Sequence, residues 1–145
     1  MTKDDKFKVN VLFVCIGNAC RSPMAEAIAR KSADDVIHPF SAGLYPLGEV
    51  PVMTRVTLTS NGYSTEELNS KGLGDLPPEE MQYVINISGQ EKPIALKNYA
   101  NIENWDVTDP YGADASVYQK ILEELEERVN ELAARLRRKY RSTDD

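Results

Sequence analysis

Apolar residues along this chain fall into two kinds of pattern. The first is the short unbroken run: Val9, Val11, Leu12, Phe13 and Val14, interrupted only by Asn10 and ending at Cys15. A brief β-branched and aromatic run of that kind predicts a strand buried on both faces, as in a parallel sheet. Further runs predict strands at residues 36–40, leading into Ser41-Ala42-Gly43, at residues 81–87, and at residues 102–107. The second pattern has a helical period. Pro23 suits a first helical turn, and Met24, Ala25, Ala27, Ile28 and Ala29 carry a helix to about Ser32. Pro51 opens a helix in which Val52, Val56 and Leu58 would face inward, with Asn61-Gly62 as its stop. Pro77-Pro78-Glu79-Glu80 predicts a turn or short helix before the third strand. Near the end, Val117, Ile121, Leu125, Val129, Leu132, Leu136 and Tyr140 recur at intervals of three and four, forming one apolar stripe on a long helix. Such a stripe can be a dimer seam or a core face, and we read it as packing on the sheet.

Strands alternating with helices predict an α/β fold with a mainly parallel sheet, whose ligands bind where strands end at their carboxyl side. That points to the loop after Val14. At 145 residues the chain fits one domain, residues 1–145, with residues 1–6 and 142–145 expected to be frayed. Its 41% hydrophobic and 28% charged content is that of a soluble globular protein. No run approaches the roughly 18 apolar residues of a membrane span, and the opening Met-Thr-Lys-Asp-Asp-Lys lacks a signal peptide's apolar stretch. The expectation is a cytoplasmic protein.

Charge and cysteine count narrow the chemistry. A net charge of −6 disfavours general binding to nucleic acid or anionic membranes. The basic run Arg135, Arg137, Arg138, Lys139 and Arg141 is read as pairing with the negative end of the terminal helix. Two nearby cysteines, Cys15 and Cys20, do not suggest a disulfide-stapled scaffold. One histidine and no Cys-x-x-Cys pair weaken any zinc reading.

The segment Cys15-Ile16-Gly17-Asn18-Ala19-Cys20-Arg21-Ser22 joins a buried strand to a helix. At such a junction successive backbone N–H groups converge, and the helix end adds partial positive charge, so an anion is attracted. Gly17 and Asn18 tolerate the positive φ of an inward-curling loop. Arg21 offers a planar fork able to engage two phosphate oxygens. The same field favours a thiolate, comparable cysteines having pKa values of about 3.5–7.5, so Cys15 becomes a nucleophile. Ser22 could donate to the sulfur or cap the helix. Cys15 alone would read as a core cysteine; the combination with Gly17-Asn18, Arg21 and the following helix makes it a site. The loop lacks the lysine and second glycine of a nucleotide-binding loop and the three spaced glycines of a dinucleotide fingerprint.

The run Val11-Leu-Phe-Val-Cys15-Ile-Gly-Asn-Ala-Cys20-Arg-Ser-Pro-Met-Ala-Glu26 closely resembles the signature of the low-molecular-weight protein tyrosine phosphatases. Ser41-Ala42-Gly43 and Asp109-Pro110-Tyr111 match in the family's order. The resemblance implies a three-layer architecture: a four-stranded, mainly parallel sheet flanked by helices on both faces, the phosphate loop at the end of the first strand, and neither metal nor cofactor. It implies that Cys15 attacks phosphorus to form a cysteinyl-phosphate, that Arg21 and the loop residues Ile16, Gly17, Asn18, Ala19, Cys20 and Ser22 hold the oxygens, and that Asp109 is the acid and base. Asn18, Ser22 and Ser41 would support the loop. Tyr111 would stack on an aromatic substrate, with Ile16, Tyr45 and Leu47 completing the wall. Cys20 would shield Cys15 through a reversible disulfide; it reads equally as a small buried filler. The implied partners are a tyrosine-phosphorylated protein or small aryl phosphate, with inorganic phosphate as product or inhibitor.

Three positions depart from the family's pattern. Gly112 stands where many members carry a second aromatic residue, residues 86–91 lack an aspartate often present there, and His38 matches no catalytic position. An arsenate reductase is the nearest rival. Its internal-relay form needs later cysteines that residues 88–96 lack, leaving an external-thiol form. A non-catalytic phosphate binder and a purely redox Cys15/Cys20 pair are the remaining rivals; the latter leaves Arg21 and Asp109 without a role.

Overall fold

The structure, a computed structural model, describes residues 8–141, with no side-chain description at Arg141. The expected fraying at residues 1–6 and 142–145 lies outside those residues. Four strands, β1 (Val9–Cys15), β2 (Ile37–Gly43), β3 (Tyr83–Asn86) and β4 (Ile102–Asn104), form one sheet in the order β2-β1-β3-β4. Every neighbouring pair is parallel. The helices are α1 (Arg21–Ser32), α2 (Val52–Ser60) and α3 (Ala115–Arg141), with short 3-10 turns at Pro78–Glu80 and Ile94–Leu96. All the expected elements form. The second strand runs on to Gly43, and the third and fourth are shorter than their apolar runs.

The two faces of β1 explain its unbroken apolar character. Val9, Val11 and Phe13 join one core with Met24 and Ile28 of α1, Leu58 of α2 and Ile121, Leu122, Leu125 and Val129 of α3. Leu12 and Val14 face the opposite way, into a second core with Leu76, Met81, Val84, Leu96 and Tyr99. The sheet is thus the middle of three layers, its second face covered by the segments that carry the 3-10 turns. The stripe on α3 lies in the first core, with Val117 and Tyr140 packed at its edges.

One helix turns differently from its sequence reading. Val52 and Val56, expected to face inward, are 74% and 48% exposed, while Thr54, Thr57 and Leu58 are buried. Residues 54, 57 and 58 lie at the three- and four-residue spacing of one helical face, and a polar contact of Thr54 with the loop after β1 fixes which face turns in. Two residues of the basic run are likewise tied to specific carboxylates. Arg137 makes two 2.8 Å contacts to Asp35, and Arg135 reaches Glu103 at 2.9 Å.

Candidate active site

β1 ends at Cys15, and the chain curls through residues 16–20 before α1 begins at Arg21. Asn18 adopts φ +49°, the left-handed conformation that Asn accepts more readily than most residues. The loop's carbonyls are taken up on its outer side. Cys15, Ile16 and Gly17 accept from the N–H groups of Leu44, Tyr45 and Leu47 at 2.8–2.9 Å. Ser70 Oγ also donates to Gly17 at 2.8 Å, and Thr54 Oγ1 donates to the Ala19 carbonyl at 2.9 Å. Among the described residues, no protein acceptor takes the N–H groups of residues 17–21. They are available to an anion at the head of α1, where the helix end adds its positive field.

The loop rests on Gly43. A Cβ there would stand 2.6 Å from the Asn18 nitrogen and 2.7 Å from the Ile16 oxygen, so only glycine admits the loop at this distance. Behind it runs a buried polar chain. Asn18 Nδ2 donates to Ser22 Oγ at 2.8 Å and to Ser41 Oγ at 3.0 Å, while Asn18 Oδ1 accepts the Lys71 N–H at 2.9 Å. Ser41 in turn donates to Glu26, whose carboxylate pairs with Arg30 at 2.8 Å. Ser22 Oγ lies 2.9 Å from Cys15 Sγ. Asn18 donates into the Ser22 oxygen, and the Ser22 hydroxyl has two neighbours within reach, the sulfur and, at 3.4 Å, the Ala42 carbonyl. No side-chain bond caps α1, so the expected cap by Ser22 is not formed.

Arg21 is only 5% exposed. Its Nη1 donates to the Val107 carbonyl at 3.1 Å, and its Nη2 lies 3.5 Å from Asp109 Oδ2. Its Nε is buried with no acceptor. A buried unpaired N–H is costly, and an oxyanion above the loop would satisfy it. Asp109 Oδ1 accepts the Tyr111 N–H at 3.1 Å, which fixes the carboxyl at the rim. Burial pushes the Cys20 thiol up, against hydrogen bonds from Thr54 and Tyr118 that favour its thiolate.

Cys15, Ile16, Gly17, Ala19, Cys20, Arg21, Tyr45, Leu47, Asp109 and Tyr111 line one cleft of about 210 Å³. Every lining residue is one that the sequence singled out. Asn18, Ser22 and Ser41 lie buried behind the loop. Unanticipated were Gly43 as the loop's seat, Thr54 and Ser70 as its outer ties, and Tyr118 beside Cys20. His38 is exposed and stacks on Phe40, 4.7 Å between ring centroids. Among the described residues no group of three or more His, Cys, Asp or Glu is placed to hold a metal ion, and no helix is long and apolar enough to cross a membrane.

Fold and site together define a class: an α/β protein that presents a thiol, an arginine fork and a ring of free amides to an oxyanion at the end of its central strand. Residues 10–142 match the family described as low molecular weight phosphotyrosine protein phosphatase. The chain is 31% identical to a protein-arginine-phosphatase of Bacillus subtilis (strain 168), spanning 92% of this chain and 100% of that protein. It is 30% identical to the low molecular weight protein-tyrosine-phosphatase PtpA of Staphylococcus epidermidis, over 71% of this chain and 79% of that one. A solved structure described as an arsenate reductase in the phosphate binding state superposes with TM-score 0.80 at 25% identity, covering 88% of this chain and 98% of the other. The chain belongs to the low molecular weight phosphotyrosine protein phosphatase family, whose members are cysteine-based phosphatases with arsenate reductases among their relatives.

Proposed function

We propose that this protein is a phosphatase acting on phosphorylated protein side chains, with phosphotyrosine or an aryl phosphate monoester as its substrate. The carrying observation is the buried, acceptor-less Nε of Arg21 above Cys15, with the Asp109 carboxyl 3.5 Å from the same guanidinium at the cleft rim. Cys15 Sγ attacks phosphorus; an S–P bond forms as the P–O bond to the leaving group breaks, and Asp109 gives its proton to the departing oxygen. Arg21 and the amides of residues 16–22 hold the three phosphoryl oxygens as charge spreads over them. Water then attacks phosphorus, passing its proton back to Asp109, and the S–P bond breaks to release inorganic phosphate. The Ser22 hydroxyl, 2.9 Å from the sulfur, stabilises the thiolate that leaves in this second step. Asn18 and Ser41 keep the loop in shape. Tyr45, Leu47, Ile16 and Tyr111 form the wall for an aromatic ring. Cys20, lining the same cleft, is assigned the protective disulfide with an oxidised Cys15. The reading sets the reaction in the cytoplasm, where such thiols stay reduced.

Phosphoarginine is the second substrate reading, favoured by the full-length match to a protein-arginine-phosphatase. Thiol-dependent arsenate reduction is the third, and it gives Asp109 no proton to transfer. Hydrolysis of p-nitrophenyl phosphate by wild type, Cys15→Ser and Asp109→Ala, beside arsenate reduction with an added thiol, separates these. Expected are turnover by wild type, none by Cys15→Ser, and a loss of roughly 10²–10⁴ for Asp109→Ala. Hydrolysis surviving Cys15→Ser would sink the mechanism. The ratio of kcat/KM on phosphotyrosyl and phosphoarginyl peptides then decides the substrate.

A further inference from the structure

Glu26 is 4% exposed, in the part of α1 from Arg21 to Ala29 that is buried throughout, and the cleft lining does not include it. The chemistry above gives this carboxylate no part. Its two oxygens have different partners: Oε2 accepts from Arg30 Nη2 at 2.8 Å, and Oε1 accepts the Ser41 hydroxyl. The Arg30 side chain is 31% exposed and also reaches Glu67 at 3.3 Å, so it has a second carboxylate and solvent to turn to. Ser41 is fully buried, and among the described residues Glu26 is the one acceptor for its proton. A buried ion pair is a weak stabiliser that an apolar side chain of similar volume often matches. Stability alone therefore gives no reason for a carboxylate between Met24 and Ile28.

The direction of the hydrogen bonds from Glu26 to the loop is set at both ends. A backbone N–H only donates, so the Asn18 atom that meets the Lys71 N–H is Oδ1, and Nδ2 is the atom that faces Ser22 and Ser41. Both serine oxygens accept from Asn18. Ser41 can do so only while its own proton is taken elsewhere, and a carboxylate, which offers acceptors alone, takes it. With no acceptor at residue 26, that buried proton would be left unpaired or turned against Asn18 Nδ2, at a cost sufficient to displace the amide. Ser22 meets Cys15 Sγ at 2.9 Å; the Ala42 carbonyl, at 3.4 Å, lies beyond the usual O–H···O range. A thiolate at Cys15 makes Ser22 the donor of that pair.

We infer that Glu26 is a positioning residue: by taking the Ser41 proton it lets Ser41 hold Asn18, and so keeps Ser22 and the left-handed turn of the loop in place against Cys15. The inference rests on the proposed phosphatase chemistry of that loop. It requires an acceptor at residue 26 and not a charge, because Arg30 has other partners.

The test is Glu26→Met, which keeps the length of the side chain and removes the acceptor, beside Glu26→Gln, whose amide oxygen can still take the Ser41 proton. On p-nitrophenyl phosphate, kcat/KM should fall about tenfold in Glu26→Met, the effect of one buried group left unpaired, and Glu26→Gln should stay within about threefold of wild type. A role confined to the Arg30 ion pair would lower the melting temperatures and rates of both variants alike, and that result would overturn the inference. Ser41→Ala removes the proton that Glu26 accepts. In that background Glu26→Met should cost less than about twofold, whereas losses that multiply would show two independent effects and also overturn it. Should Glu26→Met not fold, Ser41→Ala alone decides: a fall of similar size upholds the inference, and wild-type turnover sinks it. If the wild type hydrolyses no ester, the phosphatase reading has failed; the same cycle is then read on the dissociation constant of inorganic phosphate, where non-multiplying losses support the role of Glu26 and multiplying losses overturn it.

Discussion

Gly43 shows how a single residue governs the cleft without touching anything bound there. Its missing side chain lets the loop of residues 16–18 settle on the end of β2, and a Cβ would enter at 2.6 Å from the Asn18 nitrogen. Gly43→Ala must therefore lift the loop and loosen the Asn18 bonds to Ser22, Ser41 and Lys71. We expect a stability loss of about 1–3 kcal/mol, as for overpacking elsewhere, and a fall in p-nitrophenyl phosphate turnover larger than the melting shift explains. Folding unchanged with full activity would show that the loop tolerates the displacement. At this scale the sequence was most legible where chemistry is contiguous. Cys15, Asn18, Arg21 and Ser22 lie within eight positions and declare themselves by type and spacing. Gly43, Thr54, Ser70 and Tyr118 serve the same loop from far along the chain, and a glycine, a threonine, a serine or a tyrosine in isolation carries no such signal.

Among the elements, α3 was read most fully, because an apolar stripe over six turns has one physical explanation once a sheet is available to cover it. α2 was read correctly at Leu58 and wrongly at Val52 and Val56. Its valines match a helical period, but the burial of Leu58 and the bond from Thr54 to the Ala19 carbonyl turn it so that Val52 and Val56 meet solvent. Apolar spacing could not register a hydroxyl needed by a distant loop. The start of α3 yields a prediction on pH. Asp114 accepts from the Ser116 hydroxyl at 2.7 Å, the Val117 N–H at 3.2 Å and the Ser116 N–H at 3.1 Å, a helix cap. Those bonds, the Ser116 hydroxyl first, hold its carboxyl below the ordinary 3.8. Because the folded value is depressed, the cap's contribution is fully present above the unfolded value and fades as pH falls through the folded one. Asp114→Ala should thus melt below wild type near neutral pH, with the gap closing as pH falls below the ordinary carboxylate range. A gap independent of pH would mean that the ionised carboxylate is not what caps the helix.

Across the molecule, the sheet order β2-β1-β3-β4 places β1 centrally, so the loop carrying Cys15 is braced by β2 and its continuation on one side and by β3 on the other. That arrangement explains how Asp109, 94 positions beyond Cys15 in the chain, arrives at the same cleft: β4 delivers the chain to the carboxyl end of the sheet, and Arg21 holds the Val107 carbonyl. The α/β order was readable from alternating runs. The approach of the last loop to the first was not, since it depends on the register of all four strands.

The unpaired Nε of Arg21 has a further meaning as a linkage between ligand and stability. An N–H that lacks an acceptor in the free protein and gains one with phosphate makes the anion a selective ligand of the folded chain. Inorganic phosphate at a hundred times its dissociation constant should stabilise the fold by about 2.7 kcal/mol, a rise of roughly 5–10 °C in melting temperature for a chain of this size. Arg21→Lys, which keeps the charge but loses the fork, should blunt that rise, and a melting temperature indifferent to phosphate would contradict the assignment. The product that the cleft releases would then also be the solute that protects it, so the protein would be hardest to unfold where phosphate is plentiful and its own turnover is most inhibited.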